Sequence, residues 1–562
     1  MAALPRCVVA SACRQYFKTE QREAGSARAG NHTVPWYTFE DAQFEDWALW
    51  YTGREECIDW ERHTIMDKRG GPARTRFAPS PTGFVHIGSM RTVLFNWLLA
   101  RGTGGQFLLR IEDTDRNRCV PGAEEQLKAS LRMMGFDWDE GPDVDGPYAP
   151  YRQSERLPIY ERHAQQLLGA GHVYPCFCTS ERLKQVNDEK IARREPPGYD
   201  RHCRNLAPEE RARLLDAGTS HVLRLAVPLD GQTTCHDALR GEIVVPNHTL
   251  LDPILMKSDG YPTYHLAAIV DDHEMKITHV LRADEWIPTF PIHVLLYTFF
   301  GWEQPVWAHM PQVLGPDGKK LSKRHGATSI TEILEQGYLV EAVTNCLALI
   351  GWGYDETTEL MTRDELIERF SLDRVSPSGG VFSIDKLNWF NGQYVRRLAV
   401  DELADRLLPF LQKAALVSEP VTPAEREHVI RLLPLIQERL VTLNEAPDLL
   451  RFFFHAPARL DPNELTPKKG TPQAALRALS AARTALAELS SWDEPGLETR
   501  LRSLADELGV KTGDLFMTLR VAATGSKVSP PLFQTLHALG QEETLRRLNT
   551  AIDTLEPVAT AT

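Results

Sequence analysis

The stretch from Thr75 to Asp115, TRFAPSPTGFVHIGSMRTVLFNWLLARGTGGQFLLRIEDTD, constrains the fold more than any other part of the chain. A short strand leads into a Pro/Gly turn ending in His86, Ile87, Gly88 and Ser89. Val93, Leu94, Trp97 and Leu98 then recur at helical spacing, and Phe107 to Ile111 reads as a second strand. This is a βαβ unit whose turn lies at the carboxyl end of the first strand, where open parallel sheets hold their ligands. The prolines and Gly83 give the turn a fixed non-helical shape, Gly88 lets backbone approach a ligand, and the free N–H groups of the helix start suit a phosphate. Neither a G-x-x-x-x-G-K-[ST] loop nor a G-x-G-x-x-G turn is present, which disfavours P-loop NTPase and dinucleotide readings.

At 562 residues the chain exceeds what one hydrophobic core supports, so about three to five domains are expected. No apolar run reaches the length of a membrane span and the N-terminus has no uninterrupted apolar segment. A cytoplasmic protein without membrane association is expected. Nine cysteines, without a short repeating framework, suit a reducing compartment. A net charge of −13 argues against a wholly basic nucleic-acid coat but leaves room for a local basic face.

Residues 1–65 mix Arg with small residues and then turn Trp- and acid-rich, TFEDAQFEDWALWYTGREECIDWE. Transit peptides are poor in acids. A dispensable or disordered extension, 1–71, is therefore expected rather than a targeting arm.

Far downstream, GPDGKKLSKRHG (Gly315 to Gly326) follows a strand-like Trp307 to Leu314, with Pro316-Asp317-Gly318 as a turn and Lys319, Lys320, Lys323 and Arg324 on a loop. HIGS and KLSKR together resemble the HIGH and KMSKS signatures of the class I aminoacyl-tRNA synthetases. RFAPSPTGFVHIG with RIEDTD resembles the bacterial-type glutamyl-tRNA synthetases in particular, over the chain from about Arg74 onward. Ser89 stands where the first signature has its second His, and Leu321 where the second has Met; the family tolerates both.

The resemblance implies ATP with Mg2+ as cosubstrate. It places His86, Gly88, Ser89, Lys320, Ser322, Lys323 and Arg324 at the nucleotide, with His86, Lys320 and Lys323 as the catalytic residues. Activation by carboxylate attack on the α-phosphorus needs positioning and charge stabilisation, not a protein nucleophile. Glutamate offers two carboxylates and an ammonium, so its pocket needs two cations and an acid. The resemblance supplies Arg76, Arg282 and Glu112, with Ser80, Tyr264 and Trp286. An Arg fork matches a planar carboxylate, which a Lys does not. Ala268 stands where some members carry Asn.

The implied architecture is α/β: a Rossmann-type catalytic domain split by an acceptor-binding α/β insertion, followed by an all-helical anticodon-binding region. The expected divisions are 72–155 (first Rossmann half), 156–265 (insertion), 266–395 (second half and stem-contact region), 396–456 and 457–562 (two helical modules). The insertion opens on YRQSERLPIYERHAQQLLGAGHVYPCFC, a helix ended by Gly171 and then a strand, with Arg and aromatics interleaved as RNA contacts or ordinary core require. Cys176, Cys178 and Cys203 offer three thiolates to a zinc, which wants four ligands. Members that bind zinc carry a His two residues after the last Cys. Asn205 is there in this chain and His202 precedes Cys203, so a metal-free remnant is favoured over zinc. After Trp352 helical periodicity dominates, with a linker expected at His455 to Pro472. In TLRVAATGSKVSPPLFQTL the resemblance makes Arg520 and Thr524 the anticodon contacts.

The implied function is glutamate–tRNA ligation: glutamyl-adenylate formation, then transfer to the 2′-OH of the terminal adenosine of tRNA(Glu), by a monomer, with tRNA(Gln) as a further acceptor left open. A tRNA-modifying glutamyl ligase would lack the helical third. A catalytically inactive tRNA-binding paralogue would not need His86, Lys320, Lys323, Arg76 and Glu112.

Overall fold

The computed structural model describes residues 71–83, 85–322, 324 and 329–560. The expectation for 1–71 falls, apart from Gly71, outside the described residues. The βαβ unit is present as β1 (Arg74–Phe77), α1 (Ile87–Gly102) and β2 (Gln106–Leu109), with β1 and β2 parallel and Arg76 opposite Leu108. Helix α1 is buried on nearly every face. Phe95 packs on Phe370 (5.0 Å between ring centroids) and Trp97 on Phe136 (5.5 Å), so the helix carries apolar residues beyond a single stripe.

After α2 (Ala123–Met133) and α3 (Leu157–Gly169), Gly171 at φ 74° turns the chain into β3 (Val173–Cys176), as the sequence predicts. Helices α4 (Ser180–Ala192) and α5 (Pro208–Asp216) precede β4 (Val222–Leu225), β5 (Gln232–Asp237), β6 (Gly241–Pro246) and β7 (Ile254–Met256). Then come α6 (Tyr264–Glu274), β8 (His279–Ala283), α7 (Phe290–Phe300) and β9 (Val306–Met310).

Strands β3, β4 and β7 form an antiparallel sheet. A second sheet runs β6-β5-β9-β8, with β8 and β9 parallel. Thr278, just ahead of β8, donates its N–H to the Arg74 carbonyl of β1 (2.9 Å), so β1 lies alongside β8. Residues 156–265 are therefore not one separate body. Strands β5 and β6 belong to the sheet of the second Rossmann half, because Asp237 pairs with Trp307.

Strand β10 (Val313–Leu314) pairs with the short β11 (Gly380–Val381), the last strand before the helical region. The helices α8 (Ile384–Arg397), α9 (Val400–Lys413), α10 (Pro423–Leu432) and α11 (Ala446–Phe454) share one hydrophobic core with α1, through Leu387, Phe390, Leu403, Leu407, Leu432 and Leu450. A separate core, from Leu460 to Leu555, holds α12 (Pro472–Ala487), α13 (Glu494–Leu508), α14 (Thr512–Thr524), α15 (Leu532–Leu539) and α16 (Gln541–Thr560). Among the described residues no helix is long and apolar enough to cross a membrane.

Candidate active site

The two motifs read from the sequence meet at the carboxyl ends of the parallel strands. His86 caps α1: its Nδ1 accepts the Ser89 N–H (3.2 Å), and its ring also contacts the Ser89 hydroxyl (3.1 Å). A Cβ on Gly88 would lie 3.1 Å from the His86 ring, so any other residue there would push the imidazole a few tenths of an ångström off the helix start. Ser329, beyond the lysine loop, forms an antiparallel bridge to His86, and Ile330 donates its N–H to the Val85 carbonyl (3.3 Å). The loop leaves β10 through a hairpin, with Leu314 bridged to Lys320 and Gly318 at φ 71°. Asp317 holds both the Lys319 N–H (3.0 Å) and the Arg324 guanidinium (2.8 Å). Lys320 Nζ lies 3.3 Å from a carboxylate oxygen of Glu285. Loss of surrounding water lowers the His86 pKa, and the Lys320 charge lowers it further. Ser322 is exposed; Lys323 lies outside the described residues.

The amino-acid residues converge from four elements. Arg76 is on β1, Glu112 just beyond β2, Tyr264 at the first position of α6 and Arg282 on β8. The Glu112 N–H reaches the Pro79 carbonyl (2.9 Å), which ties the RIEDTD segment to the turn carrying exposed Ser80. Tyr264 stacks on Trp286 at 4.1 Å, and its hydroxyl accepts from Arg282 Nη1 (3.4 Å). Ala268 is buried in α6. Burial pushes the Glu112 carboxyl up to about 7, although Arg110 and Arg76 pull the other way.

Four residues behind this pocket were not among those expected. Asp272 accepts Arg76 Nε (3.0 Å) and Arg110 Nη1 (2.8 Å), and Arg110 also donates to Glu112 (3.1 Å). Asp271 takes Arg156, Tyr160 and Gln153 at 2.7, 2.8 and 2.9 Å. Two acids are thus buried with the arginines they neutralise. His309 accepts from Arg282 Nε (2.9 Å). The signal in the sequence was charge at every second position, Arg74 with Arg76 along β1 and Arg110 with Glu112 just beyond the apolar run Phe107 to Leu109, which demands buried partners.

The cysteines also converge. The ligand atoms of Cys176, Cys178 and Cys203 lie within 4.8 Å of one another, with Cys178 Sγ 3.4 Å from Cys203 Sγ. Tyr199 Oη lies 3.3 Å from Cys176 Sγ and accepts the Cys203 N–H (2.9 Å). His202 offers no ring contact to the group; its N–H donates to Asp200 (3.3 Å). Hydrogen bonding with Cys203 lowers the Cys176 thiol pKa.

In the last helical body Arg520 is half-buried on α14. Its Nη1 donates to the Ser529 carbonyl (3.1 Å) and the Pro530 carbonyl (2.6 Å), and Arg439 Nη1 reaches the same Ser529 carbonyl (2.8 Å). Thr524 is buried, its hydroxyl donating to the Arg520 carbonyl (2.8 Å). It supports the turn that Arg520 tethers.

Residues 72–389 match the family described as tRNA synthetases class I (E and Q), catalytic domain, and residues 402–552 match an anticodon binding domain. Among curated relatives, the glutamate–tRNA ligase of Herpetosiphon aurantiacus is 55% identical over 86% of this chain and 98% of its own. That of Chloroflexus aurantiacus is 51% identical over 88% and 100%. A crystal structure of a glutamate tRNA ligase from Elizabethkingia meningosepticum in complex with its amino acid superposes with a TM-score of 0.79 at 37% identity, covering 86% of this chain and all of that one. Two motifs joined across one turn, a pocket of paired arginines and a helical C-terminal third thus have a common explanation: the chain belongs to the class I aminoacyl-tRNA synthetases and, within them, to the glutamate–tRNA ligases.

Proposed function

We propose that this glutamate–tRNA ligase binds ATP between the His86 turn and the Lys320–Arg324 loop, and glutamate in the pocket of Arg76, Glu112, Tyr264, Arg282, Trp286 and Ser80. The observation that carries the reading is the His86–Ser329 bridge, which brings two motifs more than two hundred residues apart onto one turn. Arg76 and Arg282 take the two carboxylates, and Glu112 takes the ammonium. Tyr264 and Trp286, stacked, form the apolar wall. The substrate carboxylate attacks the α-phosphorus in line, and pyrophosphate leaves. His86, Gly88 and Ser89 hold the phosphates at the helix start, while Lys320, Ser322, Lys323 and Arg324 close from the loop, the two lysines meeting the charge that builds on the phosphates. Magnesium accompanying ATP would neutralise part of the triphosphate charge. The acyl group then passes to the 2′-OH of the terminal adenosine of tRNA(Glu).

We take a monomer as the working unit and the cytoplasm as its compartment. Arg520 faces the anticodon, with Thr524 holding its backbone. Cys176, Cys178 and Cys203 offer a zinc three thiols, but neither His202 nor Asn205 supplies the fourth ligand and burial pushes the neighbouring Tyr199 phenol well above its ordinary pKa, so the metal-free remnant stays the favoured reading. Glutamate-dependent ATP–pyrophosphate exchange, with and without tRNA, tests the central reading. Exchange that depends on glutamate and appears on adding tRNA(Glu) supports it, and parallel charging of tRNA(Gln) reads the breadth of acceptor choice. Absence of exchange under both conditions overturns it.

A further inference from the structure

The two pocket arginines are held in different ways. Arg76 is paired with a carboxylate, that of Asp272, at 3.0 Å. Among the described residues Arg282, 6% exposed, pairs with no acid: Nε donates to His309 Nε2 (2.9 Å) and Nη1 to His293 Nδ1 (2.7 Å) and the Tyr264 hydroxyl (3.4 Å). Its Nη2 is buried without a hydrogen-bond partner among the described residues. A guanidinium only donates, so both imidazole nitrogens facing it carry lone pairs and both rings are neutral there.

What fixes the His309 ring is Asp237. The carboxylate Oδ2 accepts His309 Nδ1–H (2.6 Å) and the His309 backbone N–H (3.0 Å). Its Oδ1 accepts the backbone N–H groups of Leu239 (3.0 Å) and Arg240 (3.1 Å). All three groups of the chain Asp237–His309–Arg282 are buried, and they come from β5, β9 and β8, neighbours in one sheet. Asp237 puts the proton on Nδ1, which leaves Nε2 as the acceptor for Arg282. Orientation through an intervening imidazole has an electrostatic consequence. A carboxylate in direct contact would offset part of the Arg282 charge, as Asp272 does for Arg76, whereas a neutral ring aims the guanidinium and leaves its full charge for a substrate carboxylate.

We propose that Asp237 and His309 are positioning residues which set the guanidinium plane of Arg282, so that glutamate affinity depends on a sheet-borne relay behind the pocket. The proposal rests on the reading of Arg282 as a glutamate contact, and the test separates the two. Full-length enzyme is assayed by aminoacylation with glutamate varied at saturating ATP and tRNA, for Arg282→Ala, His309→Asn, His309→Gln and Asp237→Asn, each with its melting temperature. Asn keeps an amide near Asp237 but ends short of Arg282; Gln places a carbonyl near the position of Nε2. His309→Asn should raise KM for glutamate by about ten- to hundredfold, as sub-ångström misplacement of a binding group does, with KM for ATP within about twofold of the parent. His309→Gln should recover most of that loss, and Asp237→Asn should resemble His309→Asn. A merely structural role would move melting temperature and all kinetic constants together, with Asn and Gln equivalent. If Arg282→Ala raises KM for glutamate while His309→Asn and His309→Gln match the parent or each other, the relay is overturned and the pocket stands. If Arg282→Ala leaves KM unchanged, both fall.

Discussion

Asp272 grips Arg76 with both carboxylate oxygens, Oδ1 to Nε at 3.0 Å and Oδ2 to Nη2 at 3.3 Å, in a pair that is almost wholly buried. Burial pushes the Asp272 carboxyl up, but the charges of Arg76 and Arg110 outweigh it and hold its pKa below the ordinary value. Removing the acid strands the Arg76 guanidinium in the interior and leaves Arg110 to Glu112 and Asp271. Asp272→Ala should therefore cost about 3–5 kcal/mol of stability, measured by denaturant unfolding. A cost under about 1 kcal/mol would mean that water reaches the pair.

Glu112 leads to a pH prediction. Its carboxyl titrates at about 7, raised first by burial, and only the ionised form holds the substrate ammonium. The needed charge is present above that value and lost as pH falls through it. KM for glutamate should rise about tenfold from pH 8 to pH 6, as a single proton competes with the substrate. Glu112→Gln should have a high KM that is flat over the same range. A parent profile without slope would remove Glu112 from the ammonium contact.

How much of this was legible in the sequence follows from how local each feature is. His86, Gly88 and Ser89 lie on one turn, and the turn's chemistry can be read from its own residues. Lys320 and Arg324 likewise announce a cationic loop, although only resemblance joins that loop to His86. Arg76, Glu112 and Arg282 were reached through the family's motifs; each alone reads as a surface ion pair. Asp272, Asp237 and His309 escaped because their partners come from separated strands, and no local pattern names a partner. The family's division put strands β5 and β6 in the insertion, yet hydrogen bonding places β5 beside β9 and β6 on the outer edge of β5. The C-terminal helices were legible by period alone. That α8 to α11 share a core with α1 was not, because periodicity shows which face is apolar and not what covers it.

Lys320 and Glu285 are both more than half exposed, so their 3.3 Å pair is a weak one that substrate can displace. Glu285→Gln should leave the melting temperature unchanged. Lys320→Ala should lower tRNA-supported pyrophosphate exchange by about 10²–10³ while tRNA affinity stays within about twofold, because the lysine acts on charge developing in the transition state. Lys323→Ala should behave similarly. A loss under about threefold would count against either role.

Arg439 and Arg520 converge on one carbonyl, that of Ser529, and concentrate positive charge at a loop where Val528 is 76% exposed. Arg520→Ala should weaken tRNA binding by about 1–3 kcal/mol and relax discrimination among anticodon variants, read by filter binding at fixed salt. Equal affinity for parent and variant would make Arg520 a tether of the loop alone.

The cysteine group turns on its fourth donor. Three thiols lie within 4.8 Å of one another, but the oxygen that touches them is the Tyr199 phenol, 3.3 Å from Cys176 Sγ, and burial pushes its pKa well up, which makes it a poor fourth ligand. Freshly purified enzyme should therefore contain under about 0.2 zinc per chain, and chelator should leave its melting temperature and KM for tRNA unchanged. Tyr199→Phe should lower the melting temperature, because the Cys203 N–H that the phenol accepts then loses its partner. A content close to one zinc per chain would overturn the reading of the cluster as a metal-free core of thiols held together by Tyr199 and packing.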